Sequence, residues 1–217
     1  MNYLQFHGEC VDGKGDPSDK ILRSYFSDYD YKGTIVEVGG YDPVVLSTSY
    51  HFEKNGWLAY CLEANHLDFD KFKDRKNALN FACSDFDGDD VPFNVVTSSG
   101  WTAGFSSLTI NHKAIDRFGG PKVIENIENI KVKVRKLDTL LEKEMSDVKK
   151  IDILTVDVEG GEMNVLKGFD IKKWMPTVVF IEDIFYNDGT SDLSNYMRSV
   201  GYKIDRRDDY NCYYVQE

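Results

Sequence analysis

Residues 151–162, IDILTVDVEGGE, constrain the fold of this chain more than any other segment. Its mostly apolar start suits a strand covered on both faces, as in a parallel sheet, because a half-exposed strand would alternate. The run closes on Asp157, Glu159 and Glu162, set around a Gly-Gly pair. In open α/β sheets, ligands bind beyond the carboxyl ends of the strands. Acids at that end therefore point to chemistry.

Similar units recur along the chain. Residues 34–38 read as a strand that runs into Gly39-Gly40-Tyr41-Asp42-Pro43, where Asp42 as N-cap and Pro43 as first helical residue predict an immediate helix, stopped at Asn55-Gly56. Strands are expected at 57–62, ending at Glu63, and at 79–83, followed by an acidic turn over 85–90 and a short strand near 93–96. The Ser-, Gly- and Thr-rich stretch 98–120 reads as an irregular insertion and a candidate lid. A strand at 130–134 and a helix at 138–145 capped by Asp138 precede the opening segment. After it come a helix at 161–168, a strand at 177–181 closed by Glu182-Asp183, a helix at 192–200 stopped by Gly201, and two β segments. Their short connection predicts an antiparallel hairpin. Residues 1–32 read as a polar leader with one helix near 18–26, and 33–217 as a single α/β domain with helices on both faces of a mostly parallel sheet.

Composition narrows the functional classes. A chain of 217 residues suits one sizeable core. The net charge of −11 argues against a nucleic-acid surface, and the alternating KVKVRK at 131–136 reads as the solvated face of a strand. No uncharged apolar run is long enough to span a bilayer, and the opening MNYLQFHGEC lacks the basic start and apolar core of a secretory signal, so no membrane partner and a cytoplasmic location are expected. Cys10, Cys61, Cys83 and Cys212 form no CxxC pair, and are expected to be reduced.

Three acid-bearing strand ends carry the chemistry. Glu37 with Gly39 and Gly40 makes a strand–loop–helix corner at which missing side chains let a ligand approach the backbone. Glu63 ends the next strand, where a carboxylate can grip two ribose hydroxyls, as in dinucleotide-binding folds. An ordinary tight turn and a surface cap are the plain alternatives for these two features. The third group is Asp157, Glu159 and Glu162 with Glu182 and Asp183, one β-α-β step further on. Adjacent parallel strands bring such carboxylates together, to hold a divalent cation such as Mg through Asp157, Glu182 and Asp183, or to accept a proton.

The pieces VEVGG (36–40), CLEAN (61–65), ACSD (82–85), KLDTLL (136–141), DILTVDVEGGEMNVLKG (152–168) and VVFIED (178–183) resemble, in order and spacing, the FkbM-type methyltransferases. D-V-E-G-G-E-x-x-V-L-x-G is the most specific of them. The resemblance implies a class I fold, a Rossmann-like three-layer sandwich whose mostly parallel seven-stranded sheet ends in an antiparallel hairpin. It also implies an S-adenosylmethionine-dependent O-methyltransferase acting on a hydroxyl of a sugar or polyketide product, with a carbohydrate in a glycan or glycosylated product the leading acceptor. Such a unit also suits one module of a larger glycan-synthesis polypeptide. By the same resemblance, Glu37, Gly39 and Gly40 line the methionine part of the cofactor, Glu63 with Ala64 holds the ribose, and Ala82, Cys83 and Ser84 border the adenine. Asp157 stands beside the sulfonium and the acceptor, while Glu159 and Glu182 face the acceptor pocket. The family's first loop carries a further glycine that this chain lacks, which brings Tyr41 or Asp42 toward the cofactor.

Methyl transfer to an alcohol needs the acceptor oxygen aligned and its proton removed. A carboxylate at Asp157 or Glu182 serves that end, and so does a cation that acidifies the hydroxyl. His112 is an alternative base, and Trp101, Phe105 and Tyr186 are candidates for a stacking floor under a sugar. A dinucleotide-dependent oxidoreductase shares the early strand–Gly–helix–acid pattern but wants G-x-G-x-x-G, which is absent, and a non-catalytic Rossmann-like binding module is the third possibility.

Overall fold

The computed structural model describes residues 5–10, 15–67, 69–98, 105–117, 120–187, 189–208 and 210–217. In chain order its elements are α1 (Ser18–Ser24), β1 (Thr34–Val38), α2 (Tyr50–Lys54), β2 (Leu58–Leu62), β3 (Ala78–Leu79), β4 (Ala82–Cys83), β5 (Gly88–Ser98) and α3 (His112–Arg117). They continue with β6 (Ile124–Arg135), α4 (Leu137–Lys143), β7 (Ile153–Val156), α5 (Glu162–Lys167), α6 (Ile171–Trp174), β8 (Val178–Glu182), α7 (Asp192–Ser199), β9 (Tyr202–Arg207) and β10 (Asn211–Gln216).

Seven strands form the main sheet in the order β3-β2-β1-β7-β8-β10-β9. The first five are parallel, and β10 runs antiparallel to both β8 and β9, so the expected Rossmann-like sheet with its terminal hairpin is present. Side chains alternate along each strand, and the two faces bury separate clusters. Ile35, Ala59, Ile153, Val178, Phe180 and Tyr213 pack with Ile21 and Leu22 of α1 and Phe52 of α2. Val36, Val38, Leu154, Val156, Val179 and Ile181 pack on the other face with Leu137 and Leu140 of α4, Val165 and Leu166 of α5, and Met197 of α7. Helix α1 is thus an integral part of one layer.

Four local expectations are corrected. No helix follows Asp42 and Pro43: Asp42 Oδ1 accepts from the Val44 and Val45 amides at 2.9 and 2.7 Å, closing a turn, and the helix begins only at Tyr50. The intervening residues 47–49 are drawn onto the Glu37 carboxylate, as set out below, and that contact overrides the capping signal. The expected strand 79–83 is split between two sheets. The Asn80 side chain donates to the Glu63 and Ala64 carbonyls at 2.8 and 3.2 Å, after which Ala82 pairs with Val134 of β6. The short strands near 93–96 and 130–134 are parts of two long antiparallel strands, β5 and β6, which with β4 form a separate three-stranded sheet. Pro92 is tolerated there because β5 is an edge. Within β6, Ile130, Val132 and Val134 are buried while Lys131 and Lys133 are exposed, as the alternation predicts. Asp138 lies inside α4 rather than at its cap, and it accepts from the Asp170 amide and Trp174 Nε1 at 2.9 and 3.2 Å, tying α4 to α6.

The four cysteines are free thiols, with Cys61, Cys83 and Cys212 buried. Among the described residues no helix is long and apolar enough to cross a membrane.

Candidate active site

Strand register builds the centre of the site. Val156 of β7 pairs with Ile181 of β8, so the next residue of each, Asp157 and Glu182, emerge side by side at the carboxyl edge. Alternation places both on the face that carries α1 and turns Asp183 to the other face. Asp183 Oδ2 accepts from Ser191 Oγ at 2.5 Å, at the N-cap of α7. Asp183 therefore does not join the carboxylate cluster, and the expected third ligand is corrected. Glu162, at the start of α5, takes that place: Asp157, Glu162 and Glu182 each offer an oxygen within 4.8 Å of the others.

The loop between β7 and α5 folds back on Glu162. Its Oε1 accepts from the Val158 and Gly160 amides at 3.1 and 2.9 Å. To make this turn, Glu159 adopts φ +60 and Gly160 φ +104, a left-handed pair that is costly for Glu159. A Cβ on Gly160 would also strike Asn111, which stands against the loop from the insertion. The backbone is thus shaped to hold acids close together. Burial, followed by the neighbouring Glu9, Glu162 and Glu37 charges, pushes the Asp157 carboxyl up to about 8. Burial and neighbouring acids also push Glu159 and Glu182 well above the carboxylate range. Burial and mutual repulsion thus favour the protonated forms of these carboxyls.

The corner after β1 is equally specific. A Cβ on Gly39, whose φ is +94, would land on the Asp157 carbonyl, and one on Gly40 would meet Cys61 Sγ, so neither position admits a side chain. The Gly39 and Gly40 amides both donate to the Leu62 carbonyl at 3.0 Å, while the Asp157 amide donates to Val38. Strands β1, β2 and β7 are laced together at this edge.

Glu37 is buried, and its oxygens accept from Ser47 Oγ, the Thr48 amide and hydroxyl, and Ser49 Oγ at 2.5–2.9 Å. Arg75 supports the same loop through Pro43 and Ser49, and pairs with buried Glu53 at 2.8 Å. Glu37 thus orders the wall of the site in addition to lining it. Glu63 at the end of β2 accepts from the Tyr41 and Asn65 amides at 2.8 and 2.6 Å. Tyr41, at φ +45 and 47% exposed, stands at the rim.

One cavity of about 830 Å³ joins these features, within the range of about 300–1,000 Å³ usual for small-molecule sites. Glu37, Gly39, Gly40, Tyr41, Glu63, Ala64, Ala82, Cys83, Ser84, Asp157, Glu159 and Glu182 all line it. Burial pushes the Cys83 thiol up to about 12, so that part of the wall is neutral. Lys71 is the one basic side chain among the described lining residues, against a ring of acids.

Several contributors escaped sequence reasoning. Glu9 arrives from the N-terminal segment, and Tyr210 from the turn before β10. Ser106–Thr109, within the insertion expected at 98–120, line the cavity together with Phe105, held by paired amide–carbonyl bonds between Asn94 and Ser107 at 2.9 and 3.0 Å. These segments lack apolar periodicity, so only the fold brings them to the site. His112 is exposed at the start of α3 and does not line the cavity, nor does Tyr186, which lies under Arg207. Trp101 lies outside the described residues, as do 99–104 and 118–119 of the candidate lid.

A parallel sheet with an antiparallel hairpin at its edge, a glycine corner after β1 and acids at the ends of β2 and β7 define a Rossmann-like methyltransferase fold. The model of the Methyltransferase FkbM domain matches residues 37–204, and the chain belongs to that family. It is similar to "Methyltransferase 1" of Beauveria bassiana (strain ARSEF 2860), 38% identical over 53 residues that make up 24% of this chain and 21% of the relative. The matched stretch spans about a fifth of that protein's length. No solved structure gives a significant match. Members of that family are methyltransferases that generally use S-adenosylmethionine.

Proposed function

We propose that the protein transfers a methyl group from S-adenosylmethionine to a hydroxyl of a carbohydrate in a glycan or glycosylated product, and that it does so in the cytoplasm. The observation that carries this reading is the juxtaposition of Asp157 and Glu182 in the same cavity as the Gly39-Gly40 corner and Glu63. The residues fit the cofactor. Gly39 and Gly40 line the cavity with no side chain of their own, packed against the Asp157 carbonyl and Cys61 Sγ, and the Glu63 carboxylate, set in place by the Tyr41 and Asn65 amides, lines the same cavity at the end of β2. Ala82, neutral Cys83 and Ser84 offer a flat wall suited to a base. Bound there, S-adenosylmethionine supplies an electrophilic methyl group.

The chain's own task is to align the acceptor and take its proton. Asp157 and Glu182 present adjacent oxygens, and a pair that shares a proton ionises more readily beside a positive charge. The proton-accepting form is thus favoured in the loaded cavity. Asp157, central between the two ends, orients the hydroxyl, and Glu159 and Glu182 bound the acceptor side. A divalent cation such as Mg is the second reading, favoured by the three oxygens of Asp157, Glu162 and Glu182 within 4.8 Å.

Incubation with labelled cofactor and a panel of sugars and glycosides, followed by mass spectrometry, tests the proposal. A methyl-sized gain on a hydroxyl supports it, and labelled product on nitrogen or carbon alone overturns it. Full turnover in excess chelator selects the direct carboxylate version, and loss restored by Mg selects the cation.

A further inference from the structure

Residues 5–10 precede the family-matched region, and Glu9 of this segment lines its cavity. Their position is fixed from several sides. Phe6 stacks on His51 at 4.3 Å, the His7 amide donates to Asp19 Oδ2 at 2.7 Å, and the Ser18 amide donates to the Glu9 carbonyl at 2.8 Å. Gly8 forms a parallel bridge with Leu46, and any Cβ there would collide with Ser18 Oγ and the Asp19 backbone. This clamp delivers the Glu9 side chain to the cavity, where Asn211 Nδ2 donates to its Oε2 at 3.0 Å. Among the described residues Oε1 has no hydrogen-bond partner. The carboxylate is oriented by one oxygen and presents the other.

Its place along the sheet decides what it can meet. The cofactor features lie on β1, β2 and β4, whereas Asn211 begins β10 and is the register partner of Glu182. Glu9 therefore stands at the opposite end of the cavity from Glu63, beside the carboxylates assigned to the acceptor. An anchored carboxylate oxygen with free lone pairs accepts hydrogen bonds from hydroxyl groups strongly.

We propose that Glu9 is an acceptor-binding, specificity-determining residue that receives a hydroxyl of the carbohydrate next to the one methylated. The assignment rests on the carbohydrate reading above. It implies that the segment outside the family-matched region sets which sugar enters, while Glu63 and the glycine corner hold the cofactor irrespective of it.

Saturation-transfer NMR with a pool of methyl glycosides of common pyranoses, in the presence of S-adenosylhomocysteine, provides the test. Wild type, Glu9→Gln and Glu9→Ala are compared, with calorimetric cofactor affinity and thermal melting measured on each. The wild type should bind at least one glycoside, and Glu9→Ala should lose about tenfold to a hundredfold in its affinity. Glu9→Gln, which keeps the shape and an acceptor oxygen, should lose less. Affinity for S-adenosylhomocysteine, whose sulfur is uncharged and so does not sense the lost carboxylate, should stay within about twofold. Equal glycoside affinity in all three proteins overturns the role of Glu9 and leaves the carbohydrate reading standing. Cofactor binding by a wild type that binds no glycoside overturns both. A loss of cofactor affinity equal to the loss of glycoside affinity reveals a merely structural role and also overturns the assignment.

Discussion

Replacing Asp157 by Asn should make the ligand-free protein more stable at pH 8 while abolishing methyl transfer. The Asp157 carboxyl is moved from an ordinary 3.8 to about 8, by burial first and then by the Glu9, Glu162 and Glu37 charges. Between those values the folded state keeps a proton that the unfolded state has released, so raising the pH removes stability. The loss is absent below about pH 4 and complete above about pH 8. At about 1.4 kcal/mol per unit, the full shift sets an upper bound of about 6 kcal/mol. Because the carboxylate opens on the cavity, water screens part of this, and about 2–3 kcal/mol is expected. For a chain of this length that corresponds to about 4–12 °C in Tm. Thermal melts of both proteins, free of cofactor and in chelator, should therefore diverge from about pH 5 to about pH 8. The variant should retain part of the wild-type slope, since Glu159 and Glu182 are raised for the same reasons. Equal Tm values at pH 8, or parallel curves across the range, would refute the electrostatic account of the cluster.

Three further outcomes follow from the geometry. Glu63→Ala should weaken S-adenosylmethionine binding about tenfold or more in titration calorimetry, with the fold retained by circular dichroism; unchanged affinity would show that the ribose lies elsewhere. Gly39→Ala forces a Cβ onto the Asp157 carbonyl at φ +94 and should cost about 2–5 kcal/mol in urea unfolding, and wild-type stability would contradict the tight corner. Glu53→Ala leaves buried Arg75 without its 2.8 Å partner and should cost about 3 kcal/mol, so a change below about 1 kcal/mol would show that Glu37 alone balances the guanidinium.

The main sheet was legible because its parallel strands are short apolar runs with acids or glycines at their ends. The same runs located Glu37, Gly39, Glu63, Asp157 and Glu182. What could not be read was set by contacts distant in sequence. The Glu37 carboxylate captures residues 47–49 and cancels a well-formed capping signal at Asp42 and Pro43. Asp183 was misplaced because adjacency in sequence was read as adjacency in space, whereas strand alternation separates it from Glu182. Glu162 was visible as one of the acids around the Gly-Gly pair, but only the turn over Glu159 and Gly160 brings it back to Asp157. Glu9 and Tyr210 belong to irregular segments whose local sequence carries no trace of the site.

The central claim is that the cavity between the Gly39-Gly40 corner, Glu63 and Asp157 is a site for S-adenosylmethionine. Titration calorimetry of the wild-type protein with S-adenosylmethionine, run beside a nicotinamide dinucleotide, tests it most directly. The account predicts saturable binding of one cofactor per chain and no heat from the dinucleotide. Folded protein that binds the dinucleotide, or that gives no binding with S-adenosylmethionine, would contradict it.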